Sequence, residues 1–330
     1  MQRRTLLAAL PFAGHALAGA ASAADRTTVR VSVVPFMSMA PFFTAYEAGY
    51  FTEAGFDVEV DRETNSMQAI PLLAGGRLDV SFVADDAGLL NAVARGARVR
   101  IVAGRELASP DCHPIGAVYV RRESFPHGLS SMKPLRGAKI AIGGGGIGTL
   151  SDYALDVLLE HDGMSRDDVQ AMGMPRPQAA AALVSGAVAG FVAGGTEVVA
   201  FPQAFEFETG PVMARIQPGF QYSWIVFGSR LLDGNVATGT RFLRAYLRGA
   251  NEYRKGRTPA FVDELAKSQG MDQKVLRSFC RESSEPNGAI RLADLERFVR
   301  WAIGRGMCPA TLKATALVDG RFLSEMNGGI

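Results

Sequence analysis

"LRGAKIAIGGGGIGTLSDYALDVLLEHDG", residues 135–163, reads as a buried strand that breaks into a run of glycines and then opens a helix. Gly143, Gly145 and Gly148 satisfy G-x-G-x-x-G, so a dinucleotide cradle is the first hypothesis to test. Such a cradle wants an acid at the end of the next strand, about 20 residues on, to hold the ribose hydroxyls. That strand is "VQAMGMP" and ends without one, which disfavours an NAD-binding oxidoreductase. The same turn can serve a ligand without the nucleotide, because glycines admit close backbone approach and the first N–H groups of a helix donate to it. Gly145, Gly146, Gly148 and Thr149 are candidate ligand contacts on this account, with Thr149 or Ser151 as the helix cap. The competing reading is a tight strand-to-helix turn and nothing more.

Working outward, the pattern of strand, helix, strand recurs. "VRVSVVPF" from Val29, the helical "PFFTAYEAGYFTEAG", the alternating "FDVEVDR", a helix near "MQAIPLLAGG", strand "DVSFVA", a helix over 86–95 and strand "VRIVAG" form a first series. A second series holds strands "IGAVYVRR", 138–143 and 169–172, helices 149–162 and 178–186, strand "GFVAGG", and "YSWIVFGS" as its closing member. Strands separated by helices of this length imply parallel sheets with helices on both faces. From Asn235 onward "TRFLRAYLRGANEYRKG" and "LADLERFVRWAIGRG" carry apolar residues at helical spacing. "LLAGGRLDVSFVA" and "LVSGAVAGFVAGG" echo each other, which suggests two similar lobes.

With 330 residues, 48% hydrophobic and 21% charged, the chain can bury a large core in about two domains. A formal charge of +2 with no long basic run gives no footprint for nucleic acid. "MQRRTLLAALPFAGHALAGAASAAD" joins Arg3 and Arg4 to an apolar stretch and small residues ending at Ala23, the pattern of an export signal, by the general secretory or twin-arginine route. Cys112, Cys280 and Cys308 make no disulfide framework, though Cys280 with Cys308 is a possible pair. His15, His113, His127 and His161 have no second ligand at metal-binding spacing, so no metal or cofactor is expected.

"PFFTAYEAGYFTEAGFDVEV", "IPLLAGGRLDVSFV", "NAVARGARVRIVAG", the glycine segment and "AAALVSGAVAGFVA" resemble, in order and over nearly the whole mature chain, the periplasmic solute-binding proteins of ABC importers. The branch resembled includes aliphatic-sulfonate, taurine, nitrate and thiamine-pyrimidine binders. The resemblance implies an α/β two-lobe periplasmic-binding-protein fold of type II, with two crossover strands placed at 113–122 and 221–228. The domains are then a signal peptide over 1–23, a discontinuous lobe I over 24–115 and 228–330, and lobe II over 116–227. It further implies an exported monomer that hands a small solute to an inner-membrane ABC permease, without nucleic acid or cofactor. Ala189 stands where relatives carry an aspartate, as at Asp79.

Ligands of such sheets bind past the carboxyl ends of strands, so the loops 35–40, 84–88, 143–149 and 193–198 should line the cleft. Ser38, Thr149 and Thr196 offer hydroxyls there, and Phe36, Met37, Tyr222 and Trp224 are candidate apolar walls. None of the four loops contains Lys or Arg, so an oxyanion would lack a cationic clamp. Asp85, Asp86 and Glu197 either face the cleft, favouring a ligand with an amino or similar donor, or cap helices. With no nucleophile elbow or histidine cluster, a binder is expected rather than an enzyme. The alternative within the broader family is a thiamine-pyrimidine synthase that consumes a histidine of its own.

Overall fold

The computed structural model describes residues 26–64, 66–110, 115–194, 207–277, 281 and 285–328. Among these residues the chain builds two five-stranded sheets, in the orders β2 (Phe56–Asp61), β1 (Thr27–Ser32), β3 (Val80–Ala84), β10 (Gln221–Phe227), β4 (Arg100–Leu107) and β7 (Gln170–Gly173), β6 (Lys139–Ile142), β8 (Gly190–Ala193), β5 (Ala117–Arg121), β9 (Phe207–Val212). In the first sheet, β1 (Thr27–Ser32) and β3 (Val80–Ala84) run parallel and bury Val29, Val31, Val80 and Val83. On the edge, β2 (Phe56–Asp61) buries Phe56 and turns Asp57 and Glu59 outward, as its alternating sequence requires. The run 41–55, expected as one helix, is two: α1 (Ala40–Glu47) and α2 (Tyr50–Glu53) are separated at Gly49, whose φ of 75° lies in the left-handed region. After β2 come α3 (Ser66–Ala74), β3, α4 (Ala87–Ala94) and β4 (Arg100–Leu107).

The second sheet has β6 (Lys139–Ile142), β7 (Gln170–Gly173) and β8 (Gly190–Ala193) in parallel, with α5 (Leu150–His161) and α6 (Arg176–Val184) between them in sequence. Both β5 (Ala117–Arg121) and the edge strand β9 (Phe207–Val212) lie in this sheet, β5 running antiparallel to β8 and to β9. Sequence patterning missed β9, whose "FETGPV" carries Gly210 and Pro211; proline is admitted there because the strand is an edge.

One sequence expectation is overturned by β10 (Gln221–Phe227), preceded by the short α7 (Met213–Ile216). It does not close the second series but sits inside the first sheet, antiparallel to β3 and β4. Every residue of β10 is buried, so its apolar run carries no mark of which sheet receives it. The strands placed as crossovers, at 113–122 and 221–228, are thus members of the two sheets. The described chain leaves the first sheet after Leu107 and returns to it before Gln221, and the two stretches pair there: the Ala108 N–H donates to the Phe220 carbonyl (2.8 Å) and the Gly219 N–H to the Ala108 carbonyl (2.7 Å).

The remainder is helical: α8 (Ser229–Asp233), α9 (Val236–Arg254), α10 (Phe261–Gln269), α11 (Gln273–Arg277), α12 (Leu292–Gly304) and α13 (Arg321–Met326). The amphipathic α9 packs on α1 under the first sheet. By contrast, α12 straps the two sheets together: Phe298 and Trp301 pack edge-on against Tyr153 of α5, and the Trp301 indole donates to Asp156 Oδ2 at 2.8 Å. The same strap returns to the first sheet, where the Asn91 amide donates to the Met307 carbonyl and Val318 bridges Ile101. One apolar core consequently runs through both sheets.

Candidate functional site

Because β10 is antiparallel to both β3 and β4, β4 points the same way as β1 and β3, and all three carboxyl ends share one edge. The parallel strands β6, β7 and β8 present their carboxyl ends opposite. The two edges meet at a short backbone seam. Asp86 and Thr149 form an isolated antiparallel bridge, in which the Ala87 N–H donates to the Gly148 carbonyl (2.8 Å) and the Leu150 N–H to the Asp85 carbonyl (2.9 Å). The loops read from the sequence as cleft loops, 35–40, 84–88 and 143–149, therefore do converge. Thr196 and Glu197 lie outside the described residues.

The glycine loop is held by its own network. Gly144, Gly145, Gly146 and Gly148 all have φ between 71° and 110°, a region that costs other residues roughly 1–2 kcal/mol. A Cβ on Gly148 would sit 3.1 Å from the Ala87 Cβ across the seam, and one on Gly146 would sit 3.2 Å from the Gly173 Cα. These glycines therefore allow protein segments to approach each other closely. The Thr149 hydroxyl does not cap α5 but donates to the Gly146 carbonyl (2.7 Å), and the Gly148 N–H donates to Asp152 Oδ2 (2.8 Å). Asp152, fully buried and paired with Arg166, thus takes a backbone donor at the helix start that the sequence reading offered to a ligand.

The acids separate. Asp86 is the N-cap of α4, accepting from the Gly88 N–H, and burial raises its carboxyl above the ordinary value against those backbone donors. Asp85 is 3% exposed and turns toward β10, accepting the Trp224 indole N–H at 2.7 Å, while its Oδ2 has no hydrogen-bond partner among the described residues. Burial pushes this carboxyl well above the usual range, and the nearby Asp294 and Asp86 add to the shift. Trp224 is fully buried and is core rather than a cleft wall. Tyr222, also buried, hydrogen-bonds the Glu106 carboxylate instead of presenting an apolar face. Phe36 and Ser38 are half-exposed and Met37 is buried.

Cations are present that the four-loop inventory missed. The Arg176 guanidinium, from the start of α6, lies over the Phe36 ring at 5.2 Å, across the cleft, and a Cβ on Gly144 would be 3.1 Å from its Nη2. Arg105, at the end of β4, is 4% exposed; its Nη2 donates to the Ser38 carbonyl (2.9 Å) and pairs with Glu106 Oε2 (2.8 Å). The signal for Arg105 is in the sequence, since "VRIVAGREL" places a charged pair at the carboxyl end of a buried strand, where ligands of such sheets bind.

The sequence profile described as NMT1/THI5 like matches residues 37–274. The chain belongs to the NMT1/THI5-like family. Its fold is that of solved periplasmic binding proteins. The alkanesulfonate-binding protein SsuA from Xanthomonas axonopodis pv. citri, bound to MOPS, superposes with a TM-score of 0.71 at 14% identity over 89% of this chain and 98% of that one. The nitrate-binding protein NrtA from Synechocystis PCC 6803 gives 0.68 at 15% identity over 91% and 88%. Among curated members, the 4-amino-5-hydroxymethyl-2-methylpyrimidine phosphate synthases THI11 and THI5 of Saccharomyces cerevisiae are 30% identical over 148 residues, 45% of this chain. The chain matches only 40% of the length of those relatives. This chain therefore has the two-lobe α/β fold of those solved structures.

Proposed function

We propose that the protein is an exported solute-binding component of an ABC importer, which captures a small organic solute between its lobes and delivers it to a permease in the inner membrane. Residues 1–23 act as the signal peptide and the mature chain works as a monomer in the periplasm, without a cofactor. Lobe I comprises 24–115 with the C-terminal region and lobe II the second sheet, with the boundary drawn at 220 so that β10 stays in lobe I. The observation carrying this reading is the facing of strand ends of two sheets, joined among the described residues by chain running on from Ala108 and by 217–220. That arrangement suits hinge closure on a ligand. Structural likeness to sulfonate- and nitrate-binding proteins supports it.

Arg105 and Arg176 remove the argument against anionic solutes, so a solute with both an acidic part and a donor is the preferred class. The ligand contacts proposed are Phe36, Ser38, Gly145 and Arg176, with Thr196 and Glu197 from the 193–198 loop. A thermal-shift panel of nitrate, sulfate, alkanesulfonates, taurine and aminopyrimidines tests this. A true ligand at 100 times its Kd should stabilise the fold by roughly 2.7 kcal/mol, and a panel without any response counts against the reading. The match to the yeast synthases favours one competitor, a pyrimidine synthase that consumes a histidine. Among the described residues, His127 and His161 are both exposed, on a loop and at the end of α5, whereas His113 lies outside the described residues. Loss of intact histidine from the purified chain, read by peptide mass, would decide for the synthase.

A further inference from the structure

Of the three acids singled out by their place in the cleft loops, Asp86 is committed to a helix cap and Asp85 to the Trp224 indole, while Glu197 lies outside the described residues. A further acid at the cleft edge is Glu106. It lies at the carboxyl end of β4, where the pairing with β10 shifts register on both sides of Ser223, its partner. Such bulges re-aim side chains, and here the Ser223 and Tyr222 side chains both hydrogen-bond the Glu106 carboxylate, alongside Arg105. A carboxylate offers about four acceptor sites, so three donors leave room for one more. The Glu106 side chain keeps 12% exposure against 4% for Arg105. Arg105 is likewise incompletely used: its Nη2 serves Ser38 and Glu106, whereas Nε is buried without a hydrogen-bond partner among the described residues. Its Cζ lies 5.4 Å from the centroid of the buried Phe82 ring, a cation–π contact that helps to hold the guanidinium.

A buried ion pair is a poor device for stability, since apolar residues of similar size commonly do as well. This one presents an acceptor and a donor side by side beneath the Phe36–Met39 segment. We propose that Arg105 and Glu106 are the specificity-determining pair of the cleft, Glu106 accepting from an N–H or O–H of the solute while Arg105 donates to an adjacent acceptor of the same solute. The inference rests on the solute-binding reading and narrows it to solutes carrying a donor beside an acceptor, such as an ammonium near an acid or a ring amine near a ring nitrogen.

Calorimetric titration of the mature chain with taurine, ethanesulfonate and 4-amino-5-hydroxymethyl-2-methylpyrimidine tests it. Ethanesulfonate matches taurine without the ammonium. The wild type should prefer taurine or the pyrimidine to ethanesulfonate by tenfold or more. Glu106→Gln, which can still accept from Tyr222 and Ser223, should bring that ratio close to one. Glu106→Asp keeps the charge pair, withdraws the carboxylate by one methylene and should lower the ratio as well, so it serves if Glu106→Gln does not fold. A preference unchanged in folded variants overturns the pairing, as does a wild type that favours ethanesulfonate or binds none of the three. The solute-binding reading falls only if, in addition, no small molecule accompanies the protein from its cells.

Discussion

Asp85→Asn should make the protein more stable at neutral pH and leave it unchanged in acid. Asp85 sits on the seam between the sheets: its N–H donates to the Tyr222 carbonyl (2.9 Å), its carbonyl accepts from Leu150, and its carboxyl accepts from Trp224. With Oδ2 buried and unpartnered, and Asp294 and Asp86 close by, the folded state favours the neutral acid and its carboxyl titrates well above the ordinary value. Below about pH 4 both folded and unfolded chains hold this proton and its contribution is fully present. As pH rises further the unfolded chain releases the proton first, so stability falls by about 1.4 kcal/mol per pH unit until the folded pKa is reached, and then levels off. Asparagine has the shape of the protonated acid, keeps an oxygen for the indole and does not titrate. Urea unfolding of both proteins from pH 4 to pH 8 isolates the effect, because other titrating groups cancel in the difference. Equal stability at pH 4 and a gap that opens with pH is expected. A pH-independent difference, or a wild type that gains on the variant as pH rises, would refute the account of this carboxyl.

Two further perturbations probe how the sheets are joined. Gly148→Ala should lose roughly 1–2 kcal/mol for the left-handed backbone plus the cost of the 3.1 Å approach to Ala87, whereas Gly55→Ala, at a similar φ of 85° with nothing within 4 Å, should lose only the backbone part; equal losses in urea midpoints would mean the seam does not matter. Trp301→Phe removes the indole bond to Asp156, a bond to a charged partner, and should cost about 1.5–3 kcal/mol, read as a lower urea midpoint at unchanged slope; no change would show that the strap holds by packing alone.

Much of the frame was legible because buried parallel strands leave a plain mark: "VRVSVV", "DVSFVA" and "KIAI" are short apolar runs bounded by turns and helices. What the patterning could not carry was the partner of β10, since a strand covered on both faces reads the same in either sheet. It also missed β9, whose Gly210 and Pro211 suppress the strand signal at an edge. The cleft loops followed from one rule about strand ends, and the three described ones do lie at the strand ends that face each other. It could not say where side chains turn. Asp85 and Trp224 both point from neighbouring strands into the core beneath α12, and Thr149 lends its hydroxyl to its own loop. Arg105 and Arg176 lie outside the four segments, at the end of β4 and at the start of α6, and packing brings them to the Phe36–Met39 segment.

The central claim is that the cleft holds a solute. Native mass spectrometry of the mature chain, purified gently from cells that export it, compares its mass before and after denaturation. The account predicts one small-molecule adduct per chain, lost on denaturation, weakened in Glu106→Gln, and bearing a hydrogen-bond donor next to an acceptor when identified. A bare chain mass in every preparation, together with no thermal response to the solute panel, would contradict it.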